Sequence, residues 1–485
     1  MQEPAHTTIT DRRDMSMFDF GFDDFEDSAY EEHLRELVAT YEDDPSSYFD
    51  SSDLEDIATY YFENGDLDRA LEVIDHLIDL HPYMSDAWMR RGILLNNLGR
   101  HRDALEAYEK ALDLNPVDTE TLINLGITLD SLGRVDDALE AYDEALSVNP
   151  MNAEAFFNRG ITLERADRLE EAVQAFERCA DLRPEHPEVW YELGYCHDRL
   201  GNDAQSVDAY DHHIDVDPYS QDAWYNRGIV LNRMHQFDDA VSSYEMAIAI
   251  QDDFASAYYN RGNALANAGD LHEAIESYEQ VLELEGPDAA TYFNIALAYE
   301  ELEAFDEAEA HYENALDEEP SYPEAWYGLG CCLHAQDRPE RALECFNHAL
   351  TLDSSVPKFW KGKADCAYKA GRLDDARHAY QEAVRLDENN EQAWVGYAEV
   401  LVDMNRPEDA LDAYREAINI APNSAGTYFR QAKALLALGR ADESLRSLKT
   451  AFQLDPNKKD EFRTAYPGLY RNDKVRQILG LDRSA

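Results

Sequence analysis

The 485-residue sequence is short of lysine: it holds ten, and among the first 356 residues only Lys110. Acidic residues outnumber basic ones 101 to 42, a formal net charge of −59. A field of that sign repels phosphate backbones and anionic headgroups, so neither nucleic acid nor membrane insertion is expected. No apolar run reaches membrane-spanning length, and the opening MQEPAHTTITDRRDM lacks the apolar core of a secretory signal. The expected location is cytoplasmic. Cysteines number six, and the adjacent Cys331-Cys332 has no CxxC partner, which argues for reduced structural thiols over zinc. No G-x-x-x-x-G-K, H-E-x-x-H or G-x-S-x-G occurs, so no catalytic residue and no cofactor is implied. The local cluster Asp211-His212-His213 with Asp215 reads as helix packing rather than as a metal set.

What the sequence does have is a period. Ala223-Trp224-Tyr225-Asn226-Arg227-Gly228 returns as Ala257-Tyr258-Tyr259-Asn260-Arg261-Gly262, thirty-four residues later. Stepping by 34 from Ser51 keeps register through residue 458 with no insertion. Position 4 of the repeat is large, as in Trp88, Phe156, Trp190, Trp326 and Tyr428. Position 8 is always Gly or Ala, and position 20 is Ala except at Ser206 and Ser444. Position 24 is mostly Tyr or Phe, for example Tyr108, Phe176 and Phe346. Small residues at 8 and 20 let two helices approach, and the large ones at 4 and 24 fill the space beside them. Glycine near position 15 (Gly99, Gly133, Gly201) suits a left-handed helix end, and Pro at 32 stops the second helix.

WYELGYCH at 190–197 and WYGLGCCL at 326–333 nearly complete the W-x2-L-G-x2-Y pattern of the tetratricopeptide-repeat family, which this chain resembles. Arg91, Arg159, Arg227 and Arg261 depart from it, standing where the family has Leu. The resemblance implies an all-α fold, a right-handed α-solenoid of twelve 34-residue helix-turn-helix repeats over 51–458. Residues 1–50 are expected to be an acidic, partly disordered tail with a capping helix at 29–43, and 459–485 a set of C-terminal capping helices. Within the tail, Phe18, Phe20, Phe22 and Phe25 alternate with carboxylates, the composition of a solvated segment or of a short docking motif.

In this family one face of each first helix lines a concave groove that holds extended peptides. Position 5 on that face reads Phe157, Tyr191, Tyr225, Tyr259, Phe293 and Tyr327. Position 6 reads Asn124, Asn158, Asn226, Asn260 and Asn294, interrupted by Glu192. Asparagine donates to and accepts from a peptide backbone at once. The row resembles the asparagine ladder of the repeats attached to O-linked N-acetylglucosamine transferase, although Asn and Tyr also serve inter-repeat packing at these positions. Further along, Lys358, Lys361, Lys369, Arg430 and Lys433 make the same face basic and suited to a carboxylate-bearing partner. Residues 357–485 hold 20 acidic and 21 basic residues, so the first 356 carry a net −60.

The expected function is a non-catalytic scaffold that binds a protein or peptide; the alternative is a targeting subunit of a separate enzyme such as a glycosyltransferase. Self-association through the acidic tail and the basic repeats is a further expectation. Arginine outnumbers lysine 32 to 10, and with the acidic excess this resembles proteins of a salt-rich cytoplasm.

Overall fold

The computed structural model describes residues 27–481; Phe18, Phe20, Phe22 and Phe25 lie outside the described residues. The fold is all-α, an array of paired helices with no strand among the described residues. Two compact units divide the chain, Met1–Ala257 and Tyr258–Ala485. Typical pairs are Ser85–Asn97 with His101–Leu114 in the first unit, and Ala289–Glu301 with Phe305–Glu318 in the second. No described helix is long and apolar enough to cross a membrane.

Each pair is built by the same few contacts. First helices open on side-chain caps where the sequence offers them: Asp118 accepts from the Thr121 amide, Asn152 from Ala155 and Asn390 from Ala393. The turn inside each pair passes through a left-handed residue at position 15. Glycine supplies it at Gly99 and Gly371, but Asp167, His235, Glu303, Asp337 and Asn405 adopt φ of 58–60° at the same place. Between pairs, every tryptophan is used alike. The indole of Trp88 donates to the Pro82 carbonyl at 3.1 Å, Trp224 to Pro218 at 3.0 Å and Trp360 to Ser354 at 2.9 Å. That bond ties the first helix to the turn preceding it, and it persists where the turn residue is not proline.

The small positions are small because a ring sits against them. A Cβ added at Gly228 would lie 2.6 Å from the Tyr244 ring, and one at Gly194 2.7 Å from Tyr210. Where position 20 is serine, the hydroxyl finds the carbonyl of position 8: Ser206 Oγ donates to Gly194 O and Ser444 Oγ to Ala432 O, both at 2.8 Å. The arginines that depart from the family pattern have partners too. Arg91 pairs with Asp75 at 2.7 Å, Arg159 with Asp143 at 3.0 Å and Arg227 with Asp211 at 2.6 Å, each reaching the second helix of the preceding repeat.

The ends are closed by short helices. Asp27–Asp43 lays Val38 into the cluster around Leu54 and Ile57. Lys458–Ala465 and Asp473–Leu479 bring Phe462 and Leu479 against Phe429, Leu448 and Phe452.

Candidate peptide-binding face

Within each unit the first helices present residues 5 and 6 of successive repeats side by side, and the structure gives them unequal exposure. Phe157 and Tyr225 are buried, while Tyr191, Tyr259, Phe293 and Tyr327 are half-buried. The rings at position 5 lie against the ring at 24 of the same repeat, and Phe157, Tyr225 and Phe293 also against a ring at its last position. Tyr225 meets Phe254 at 4.8 Å, Phe157 meets His186 at 4.3 Å, and Phe293 meets Tyr312 at 5.8 Å and Tyr322 at 4.9 Å. These residues are therefore core rings whose outer edge reaches the face.

The asparagines bind the protein itself. Asn226 Nδ2 donates to Tyr191 Oη at 3.0 Å, and Asn294 Nδ2 donates to Tyr259 Oη at 2.9 Å. In both cases the tyrosine is at position 5 of the preceding repeat. Burial raises the Tyr191 and Tyr259 phenols, so each stays protonated. Where the preceding position 5 has no hydroxyl the bond cannot form. Asn158 turns to the Glu154 carbonyl at 2.9 Å, behind Ile123. Asn124, behind Met89, is buried, and its Nδ2 has no partner among the described residues. Asn260 is half-buried. Sequence order alone carried the signal for this pairing: Tyr at 5 followed 35 residues later by Asn.

Of the basic residues, three are paired. Lys361 meets Asp365 at 2.7 Å, Lys369 meets Asp337 at 3.0 Å, and Arg430 meets Glu399 at 2.7 Å. Lys358 and Lys433 are exposed and have no ion pair among the described residues. They rest instead on aromatic faces. Lys358 Nζ lies 5.4 Å from the Tyr327 centroid and 5.5 Å from Phe359, and Lys433 Nζ 5.2 Å from Phe429.

His213 is buried beside the Tyr191 ring at 5.5 Å, and burial lowers its pKa. All six cysteines are free thiols, and burial pushes Cys345 and Cys366 up to about 11. Both observations describe packing groups.

A helical repeat of this kind, with a small residue under a ring and a tryptophan on the preceding turn, defines a class. The chain belongs to the tetratricopeptide-repeat family, which it matches over residues 55–119, 123–184, 170–223 and 255–286. Residues 284–470 match the C-terminal domain of cilia and flagella-associated protein 70. Among curated proteins, an uncharacterized protein of Methanocaldococcus jannaschii is 35% identical over 54 residues, 10% of this chain. The chain spans 63% of that relative's length. Solved structures with likeness include MamA, at 27% identity and a TM-score of 0.34, over 34% of this chain and 91% of that one. YrrB, described as a TPR protein with an unusual peptide-binding site, gives 23% and 0.35 over 37% and 93%. The APC/C hetero-tetramer Cut9-Hcn1 gives 16% and 0.40 over 84% and 95%.

Proposed function

We propose that the chain is a non-catalytic interaction scaffold whose first-helix face holds an extended, carboxylate-bearing peptide or protein. The observation that carries this reading is the row Tyr259, Phe293 and Tyr327 in three consecutive repeats of the second unit, half-buried and continued by exposed Lys358. Asn294 fixes the first of these rings through its hydroxyl. Rings held in place lose little rotamer freedom when a ligand lands on them, which favours binding. Lys358 and Lys433, exposed and with no ion pair among the described residues, supply the positive charge an acidic segment would meet. In this reading Asn294 positions the aromatic row and acts on a ligand mainly through it, as Asn226 holds Tyr191 within the first unit.

The acidic segment at 17–27 of a second copy is one source of such a ligand, since it joins phenylalanines to carboxylates. The test is the double charge reversal Lys358→Glu and Lys433→Glu. With the melting temperature unchanged, it should lose the partners that the wild-type chain captures from native lysate, as identified by mass spectrometry. An identical captured set from the folded double variant would sink the reading.

A further inference from the structure

The turn from the second helix of one repeat to the first helix of the next recurs in both units, residues 286–288 apart, yet its side chains differ. In the first unit, position 33 of the repeat carries Tyr83, Val117 and Met151, exposed by 86%, 63% and 68%. One helical turn earlier, Leu80, Leu114 and Val148 are exposed as well. These pairs follow one another at three consecutive inter-repeat turns and make an apolar ridge along one edge of the unit. Tyr219 repeats the feature after an interruption at Glu185. In the second unit the same position is Pro287, Ser321, Ser355, Asn389, Asn423 and Asn457, while position 30 stays apolar and exposed at Leu284, Leu352 and Leu454, so position 33 carries the difference.

The ridge has no part in building the turn. The Met151 amide donates to Asn149 Oδ1 at 3.2 Å and the Tyr219 amide to Asp217 Oδ1 at 3.1 Å. With polar residues in place, the bond is the same: Ser355 to Asp353 at 2.8 Å and Asn389 to Asp387 at 3.1 Å. The backbone makes the turn whatever the side chain at 33. Large apolar groups in water at consecutive equivalent positions therefore mark a surface that another molecule covers.

Charge selects the occupant. Asp79 stands beside the ridge on a second helix and exposed Asp86 and Glu120 follow it on the first helices, while Asp113 and Glu154 are paired with Lys110 at 3.4 Å and Arg183 at 3.3 Å. The acidic tail of this chain and a second copy of it both bring more negative charge to that rim. We propose that the edge formed by Leu80, Tyr83, Leu114, Val117, Val148 and Met151 docks a basic amphipathic segment of another protein, with apolar side chains on the ridge and Lys or Arg on the flanking carboxylates.

The test uses the full chain and a fluorescent synthetic peptide of about 16 residues, enough for a helix of about 24 Å, with Leu on one face and Lys on the other. The triple variant Tyr83→Ser, Val117→Ser and Met151→Asn keeps every charge and puts second-unit residue types on the ridge. It should bind the peptide at least about tenfold more weakly with an unchanged melting curve, since three apolar contacts are lost. The single Val117→Ser variant should show a smaller loss in the same direction and serves if the triple variant melts early. Replacing Lys by Glu in the peptide should abolish binding. Equal affinity for wild type and triple variant would overturn the proposal, because adsorption by charge alone would then account for the binding. Preference for a peptide of residues 14–27, or a wild-type dimer that the triple variant loses in sedimentation, would overturn it in favour of the chain's own tail or a second copy.

Discussion

The repeats up to Tyr278 and those from Tyr312 onward solve one packing problem in two ways. In Met1–Ala257 the ring at position 24 stands over a glycine at position 8 of its own repeat, as Tyr210 over Gly194 and Tyr244 over Gly228. Position 6 is then free to carry Asn or Glu. In Tyr258–Ala485 Tyr278 still stands over Gly262, but where position 8 is Ala, at Ala296 and Ala364, the ring instead stands over a glycine at position 6 of the next repeat. Tyr312 lies against Gly328, and a Cβ at Gly396 would be 2.5 Å from Tyr380. Phe346 uses both, with Gly330 and Gly362 beneath it. At Tyr312 and Tyr380 one methyl group added at position 8 is thus matched by one side chain removed at position 6, while Tyr414, with Ala398 at 8, is followed by Arg430. The asparagine row ends at Asn294 for this reason: at Gly328, Gly362 and Gly396 the ring of the preceding repeat occupies the space an asparagine would need.

The largest effects should come from exchanging these solutions. Gly228→Ala in the first unit and Gly328→Ala in the second should each cost about 2–3 kcal/mol, because rigid ring atoms must move to admit the methyl group. Gly328→Asn, which copies the residue type of Asn226, should be at least as damaging. Chemical denaturation would measure all three. A neutral Gly328→Ala would break the comparison, since position 6 would then be small for no packing reason.

Salt should separate the chain along its other asymmetry. Residues 1–356 carry a net −60 and residues 357–485 a net +1. Screening shortens the range of self-repulsion from tens of ångströms at millimolar salt to about 3 Å at molar. Amide exchange of the whole chain should therefore slow in molar potassium chloride by at least about tenfold, roughly 1.4 kcal/mol, over residues 51–356. Over residues 357–481 the slowing should be smaller. Equal or absent slowing in the acidic stretch would remove the case for a salt-rich habitat.

Much of this architecture is written in the repeat period. Gly or Ala at 8 and a ring at 24 announced their contact, and glycine at 15 announced the left-handed turn. His235 and Glu303 hide that same turn, because tertiary packing holds them in a conformation that their side chains disfavour. The candidate face was less legible. The repeat positions put Asn226 and Tyr191 on one helix face, but Asn226 is buried and Tyr191 half-buried, and that exposure depends on neighbours from other repeats. The basic stripe likewise needed the carboxylates opposite Lys361, Lys369 and Arg430 before Lys358 and Lys433 stood apart.

The smallest effect tests whether the asparagines are structural, and the two units again supply the contrast. Asn294→Ala removes the donor that holds Tyr259 Oη and should cost about 1 kcal/mol, the ordinary net worth of a partly buried hydrogen bond. Asn124 has the same repeat position, yet the residue 35 before it is Met89, which has no hydroxyl, and its buried Nδ2 has no partner among the described residues. Burying an amide without a partner is itself unfavourable, so Asn124→Leu should leave stability unchanged or raise it by up to about 1 kcal/mol. Placing a hydroxyl opposite, as in Met89→Tyr, should reverse the sign and make Asn124→Leu destabilising in that background. A double-mutant cycle on Met89 and Asn124 reads this directly. A coupling energy of zero, with both asparagine variants equally damaging, would mean that position 6 acts through something other than the tyrosine of the preceding repeat.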